Sequence, residues 1–337
     1  MERLQRKNIL ITGGAGFIGS HLCDALIKEN NVICLDNLIS GNIENVNHLL
    51  QLPNFEFIRH DLVDPVDLEG YPELKKFKIP FHGIQEIYHF ACPTSHYEKH
   101  AHQVETALAN SHGTKNALDL AVKYHAKFVF ASSSAVYGEP EAEAGMLSES
   151  YFGQVNHLGD RGSYDEGKRF AEMLVSVYRE QYRLDARIVR LFQSYGPRMS
   201  LEDNRLIPRL IAKAITNQPM VVYGEASMKT SLCYVTDLIE AIHKLMSSDL
   251  AGPVNLGSEA AVSLDEVAQT IKTLAESSSE ISYEAESPYT KHRGIPDLSL
   301  AKNKLGWFPV VPLKEGLKLT IDDMRGSNVV GLHDVKL

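Results

Sequence analysis

The sequence predicts an α/β fold: a Rossmann-type doubly wound parallel sheet with a smaller α/β lobe attached. Three observations predict it. Short apolar runs of strand length alternate with segments of helical spacing up to about residue 192. Such alternation folds as a parallel sheet with helices on both faces. The first run, NILIT, opens directly into a glycine-rich turn, ITGGAGFIGSH. An acid, Asp36, closes the second run 23 residues beyond Gly13.

The elements follow in order. NILIT (8–12) is a buried strand closed by glycines. The next segment, IGSHLCDALIKENN, spaces Ile18, Leu22, Ala25 and Leu26 as one helix face. VICLD (32–36), NFEFIRHD (54–61) and IQEIYHFAC (84–92) read as further strands. A helical region spans roughly 99–125, KFVFASSS (127–134) is a fifth strand, a helix lies around 163–182, and ARIVRLF (186–192) is a sixth strand. Beyond about 195 the pattern loosens into short elements broken by GPR, NQP, YGEAS and AGPVNLGS. We therefore expect a first domain over 1–195, with parts of 230–260 returning to it. A second lobe is expected over 196–325, and a loosely ordered tail over 326–337.

Bulk properties narrow the class. The 337 residues carry 34 Lys and Arg against 43 Asp and Glu, a net charge of −9. Basic residues form no long runs, so neither nucleic acid nor a membrane surface is an expected partner. No stretch approaches the ~18 apolar residues of a membrane span, and the N-terminus does not read as a signal peptide. Cys23, Cys34, Cys92 and Cys233 form no CxxC pair. They read as thiols in a reducing compartment, and the expected location is cytoplasmic. His96, His100 and His102 lie close together, but with no HExxH and no placed carboxylate they read as a surface cluster, so no metal site is expected.

The glycine turn carries the first chemistry. Gly13, Gly16 and Gly19 follow the spacing GxxGxxG. Such glycines let backbone N–H groups approach a pyrophosphate, and the helix that follows adds its dipole. Phe17 and Ile18 open that helix. Asp36, with Asn37 beside it, is placed to accept bonds from a ribose diol and to repel a 2′-phosphate, which points to NAD rather than NADP. Asp61 and Leu62, at the end of the third strand, are placed on the adenine side. A plain surface carboxylate is the competing reading for Asp61.

The stretch RGSYDEGKRFAE carries the second. Tyr164 and Lys168 are four apart, one helical turn. A neighbouring ammonium and a nicotinamide cation both favour a phenolate. A phenolate takes a hydroxyl proton while a hydride leaves. The serine run 132–134, some 30 residues earlier, supplies Ser133 to orient the same alcohol. In isolation a YxxxK pair reads as an exposed charged helix; the glycine loop and the serines change that weighing.

With these motifs in place, the chain resembles the extended short-chain dehydrogenase/reductases that act on nucleotide sugars. The resemblance runs from TGGAGFIGSH to PDLSLAKNKLGW and VPLKEGL. It is greatest to the UDP-glucuronate decarboxylases, through NFEFIRHDLVDP, ACPTS, SYDEGKR, YGPRM and GPVNLGS. The resemblance implies an NAD-dependent enzyme that oxidises C4 of a UDP-sugar, with Tyr164 as base, Lys168 on the nicotinamide ribose and Ser133 on O4. It implies a substrate-binding second lobe. It also implies a homodimer through the helices near 99–125 and 164–182.

Three positions depart from that pattern, all on the substrate side. SSSAVYG places Ser134 and Ala135 where the decarboxylases read Ser-Glu and the 4,6-dehydratases Asp-Glu. Thr230 replaces an arginine that contacts the diphosphate and sugar carboxylate. Gln193 replaces an asparagine. Arg198, Arg205 and Arg293 remain candidates for the diphosphate. The expected reaction is decarboxylation of a UDP-hexuronate by a variant site. The alternative is 4-epimerisation, which needs no carboxylate at 135. A reading of another class is a catalytically silent NAD-binding sensor or scaffold.

Overall fold

The computed structural model describes residues 6–94, 102–139, 145–285 and 294–334. Its central sheet has seven strands: β1 Asn8–Thr12, β2 Asn31–Asp36, β3 Phe55–Arg59, β4 Glu86–His89, β5 Lys127–Ser133, β6 Ala186–Leu191 and β7 Pro253–Leu256. Their order is β7-β6-β5-β4-β1-β2-β3, and every neighbouring pair is parallel. The chain winds outward from β1 to β3, returns to β4 beside β1, and winds out the other way. That reversal opens a crevice beyond the carboxyl ends of β1 and β4, where ligands bind in doubly wound sheets.

The apolar runs are strands because both faces are covered. All five residues of β1 are buried. Ile9 and Ile11 point into one apolar layer, with Leu22, Val189 and Ile242. Leu10 points into the other, with Ile33, Ile87, Phe128 and Val175. This is the period-2 alternation of a strand. Each such aliphatic chain contributes about 1.5–3 kcal/mol on burial.

Helix α1 (Phe17–Leu26) follows the glycine turn. The helical turns Gln103–Leu108, a π segment Ala109–Gly113 and α2 (Thr114–Tyr124) run consecutively. Helix α3 (Gly162–Tyr182) packs against β5 and carries the Tyr–Lys pair. Beyond β6, α4 (Leu206–Ile215), α5 (Val235–Met246), α6 (Leu264–Leu274) and α7 (Leu313–Asp334) are joined by short strand pairs. Met220–Tyr223 pairs with Ile281–Glu284, Lys229–Ser231 with Ala261–Ser263, and Ser194–Tyr195 with Cys233–Tyr234. The apolar layer that holds Ile9 also holds Leu210, Val267, Trp307 and Ile321, so it runs unbroken from the sheet into the later elements. The backbone from 326, where the sequence predicts a loose tail, continues as helix to Asp334. Among the described residues no helix is long and apolar enough to cross a membrane.

Candidate active site

A cleft of about 1110 Å³ lies over the carboxyl ends of β1, β2, β4 and β5. The sequence directs residues to it from distant positions. Its floor is the glycine turn. Gly13 has φ +71°, and a Cβ there would lie 2.7 Å from Phe90 O and from Ala91 N. A Cβ on Gly19 would lie 2.1 Å from Gly13 O. Only glycine allows this close a turn, which brings the start of α1 to the cleft. Phe17 and Ile18 line the same floor.

Asp36 closes β2 and is largely buried. Its Oδ2 accepts from Ala15 N at 3.0 Å and its Oδ1 from Leu38 N at 2.9 Å. Burial pushes this carboxyl above its ordinary range, and the two backbone N–H groups partly offset that. Asn37 Nδ2 donates to Asp61 Oδ2 at 3.0 Å, tying the ends of β2 and β3 together. Leu62 O accepts from Asn116 Nδ2 at 2.9 Å, which holds the Asp61–Leu62 turn against α2.

The second wall is built by β5 and α3. Lys168 is 3% exposed, and its Nζ donates to Ala131 O at 2.9 Å. It lies 5.8 Å from the centre of the Tyr164 ring. Arg161 lies 5.5 Å from the same ring and bonds Asp165 Oδ1 at 3.1 Å. The tyrosine is therefore flanked by two cations. Ser133 caps the short turn Ser134–Tyr137, and its Oγ accepts from Ala135 N at 3.2 Å. That acceptance leaves the hydroxyl proton for a ligand.

The remaining predicted residues divide. Ser134, Gln193, Arg198, Arg205 and Thr230 line the cleft. Ala135 does not: it is 1% exposed and its methyl is packed behind the wall. Arg293 lies outside the described residues, as do His96 and His100. Thr230 Oγ1 donates to Gln193 Oε1 at 2.9 Å, so two of the three unusual positions touch each other. Arg198 pairs with Asp24, and Arg205 with Asp203, which ties both guanidinium groups to carboxylates. Sequence reasoning missed Arg161, whose position three before Tyr164 was the available signal. It also missed Arg209, which lines the cleft with its guanidinium carbon 4.6 Å from the Tyr223 ring centre. Arg209 Nε and Nη2 have no hydrogen-bond partner among the described residues.

The glycine turn, Asp36 and the Tyr164, Lys168 and Ser133 side chains thus line one cleft. Comparison with known families matches residues 9–257 to the NAD dependent epimerase/dehydratase family. The chain belongs to this family. UDP-glucuronic acid decarboxylase 1 of Arabidopsis thaliana is 40% identical over 322 residues, covering 95% of this chain and 70% of the relative. UDP-glucose 4-epimerase of Thermotoga maritima, solved with UDP-glucose, superposes with a TM-score of 0.82 at 27% identity. It covers 95% of this chain and 99% of its own. UDP-glucuronic acid 4-epimerase of Bacillus cereus, solved with UDP-glucuronic acid and NAD, superposes at 0.81 with 25% identity, again over 95% and 99%. The chain is thus an NAD-dependent nucleotide-sugar enzyme of the epimerase/dehydratase family. The cradle fits the cofactor: its glycines leave no Cβ between backbone and ligand, and Asp36 offers acceptors to a diol.

Proposed function

We propose that this enzyme oxidises C4 of a UDP-sugar of the hexuronate type and that the resulting ketone drives loss of the adjacent carboxylate. The carrying observation is the meeting of Tyr164, Lys168 and Ser133 with the glycine cradle in one cleft. When bound, NAD would supply the acceptor for the C4 hydride and, in reduced form, the donor that returns it to the C4 ketone, so the product is an alcohol and the cofactor is regenerated. Tyr164 removes the proton of the C4 hydroxyl, a role worth roughly 10²–10⁴ in rate. Ser133, its oxygen held by Ala135 N, donates its proton to O4 and fixes the alcohol. Lys168, anchored on Ala131 O, keeps positive charge beneath the phenol and a donor toward the nicotinamide ribose. A C4 ketone stands β to a carboxyl on C5, and a β-keto acid loses CO₂ without an acid in the wall. Ala135 is then compatible with decarboxylation, at reduced rate. The likeness to the decarboxylases supports this outcome.

Simple 4-epimerisation is the second reading. It is favoured by the absence of an acid at position 135 and by the neutral Thr230–Gln193 couple in the cleft, which offers no guanidinium. Incubation with UDP-glucuronate and NAD⁺ decides. Release of CO₂ with a UDP-pentose supports the first reading, and UDP-galacturonate the second. Absence of turnover with any nucleotide sugar overturns both.

The same reading includes a homodimer. Phe170, Met173 and Val177 of α3 are exposed at i, i+3 and i+7, and Val104 is exposed on the neighbouring helical turns. That apolar stripe suits a second copy.

A further inference from the structure

We propose that Glu172 is a positioning residue: together with Arg190 it clamps the Ser132 hydroxyl and so sets where Ser133 meets Tyr164. The inference rests on the proton-transfer reading of Tyr164 and Ser133 given above.

Tyr164, Lys168 and Glu172 lie four apart on α3, one turn each. Successive turns of this helix grip successive residues of β5. Lys168 Nζ donates to Ala131 O at 2.9 Å. Ser132 Oγ donates to Glu172 Oε1 at 2.5 Å. Ser133 follows directly, so its register against the helix is fixed by two bonds immediately before it.

Glu172 is itself held from its far side. Arg190 of β6 donates Nε to Oε1 at 2.9 Å and Nη2 to Oε2 at 2.7 Å, a two-pronged grip. Arg190 Nη1 donates to Tyr137 Oη and to Glu149 O, each at 3.0 Å. Tyr137 Oη in turn donates to Asn255 Oδ1 of β7 at 2.6 Å. One carboxylate is thereby referenced to α3, β5, β6 and β7. Both partners of the ion pair are largely buried, at 12% and 13% exposure. Desolvation makes such a pair a poor source of stability compared with apolar packing, but its geometry is directional. Direction is what an active serine needs: a misplacement of ~1 Å costs on the order of 10²-fold in rate.

The test uses the full chain with its cofactor and whichever UDP-sugar the wild type turns over. Two variants are compared, Glu172→Gln and Ser132→Ala; the second removes the hydroxyl link and leaves the ion pair intact. The clamp predicts kcat lowered roughly 10–100-fold in Glu172→Gln and roughly 3–30-fold in Ser132→Ala. KM and the NADH dissociation constant stay within about two-fold, because ground-state binding is untouched. Ser132→Thr, which keeps the hydroxyl, restores most of kcat. A pair that merely held the fold together would lower the melting temperature of Glu172→Gln while kcat per folded molecule stayed at the wild-type value; that result overturns the clamp. So does an active wild type whose Ser132→Ala variant keeps full kcat, and the C4-oxidation reading then survives. A wild type inactive on every nucleotide sugar overturns both.

Discussion

The Tyr164 ring has two cations near it, the Arg161 guanidinium and the Lys168 ammonium, at 5.5 and 5.8 Å from its centre. Tyr164→Phe keeps the ring in that place and removes only the oxygen. We expect kcat to fall roughly 10²–10⁴-fold with the NADH dissociation constant unchanged, measured by steady-state assay and fluorescence titration. A silent NAD-binding sensor would show no such loss of its function. Asp36 carries a second expectation. Asp36→Asn drops the negative charge and leaves one oxygen where the carboxylate has two, so it keeps an acceptor for only one of Ala15 N and Leu38 N. NAD should bind about tenfold more weakly and NADP more tightly, a shift of about 1.4 kcal/mol for the first, read by paired titrations. The residues that the sequence revealed are those whose chemistry is local: the glycine triplet, the i, i+4 pair, the acid at a strand end. The contact between Thr230 and Gln193 joins positions 37 apart and was hidden. That Ala135 is buried and off the cleft lining, while Ser134 beside it lines the cleft, is a property of the folded turn after β5 that no spacing rule reports.

Among the elements, β4 ends in a histidine with no route to water. His89 is fully enclosed, between Thr12 Oγ1 at 2.7 Å and Thr114 Oγ1 at 3.2 Å. Burial, with the charge of Lys168 adding to it, pushes its pKa down to about 3. The native histidine therefore stays neutral while the unfolded one takes a proton near ~6.5. Its contribution to stability is whole above that value and is lost as pH falls from ~6.5 toward 3, at up to ~1.4 kcal/mol per pH unit. Between pH 6.5 and 5 this group alone should remove about 2 kcal/mol. Urea denaturation at the two pH values checks it: His89→Asn should show a correspondingly shallower loss than the wild type. The strands themselves were legible because a parallel sheet buried on both faces reads as continuous apolar runs. The π segment Ala109–Gly113 was not, since an extra residue in a helical turn leaves the spacing on either side intact. The buried residues of the helix from 313 onward, Leu317, Ile321 and Met324, all lie before the expected start of the tail at 326.

At the scale of the molecule, the exposed stripe of Phe170, Met173 and Val177 is where the proposed homodimer can be tested. Met173→Glu places a charge in the middle of that stripe. A homodimer seated there should give way to monomer in sedimentation or light scattering, at a cost to association of several kcal/mol for an unpaired charge in an apolar contact. An unchanged mass would place any dimer contact elsewhere. The change in sequence pattern near residue 195 is the ground for expecting two parts. Pro253–Leu256, the edge strand beside β6, lies within the 230–260 stretch expected to return; its place in the strand order and the apolar layer that runs on into the later elements were not legible, because strand order is decided by packing across the whole chain. That common layer holds Trp307, the single tryptophan of the sequence, with its Nε1 donating to Asp237 O at 2.9 Å. The Asp237 carboxylate in turn accepts from the backbone of Val310 and Val311, each at 3.0 Å. The chain thus carries a built-in fluorophore inside that layer. Its emission should redden when the layer opens, giving every melting curve a label-free optical readout.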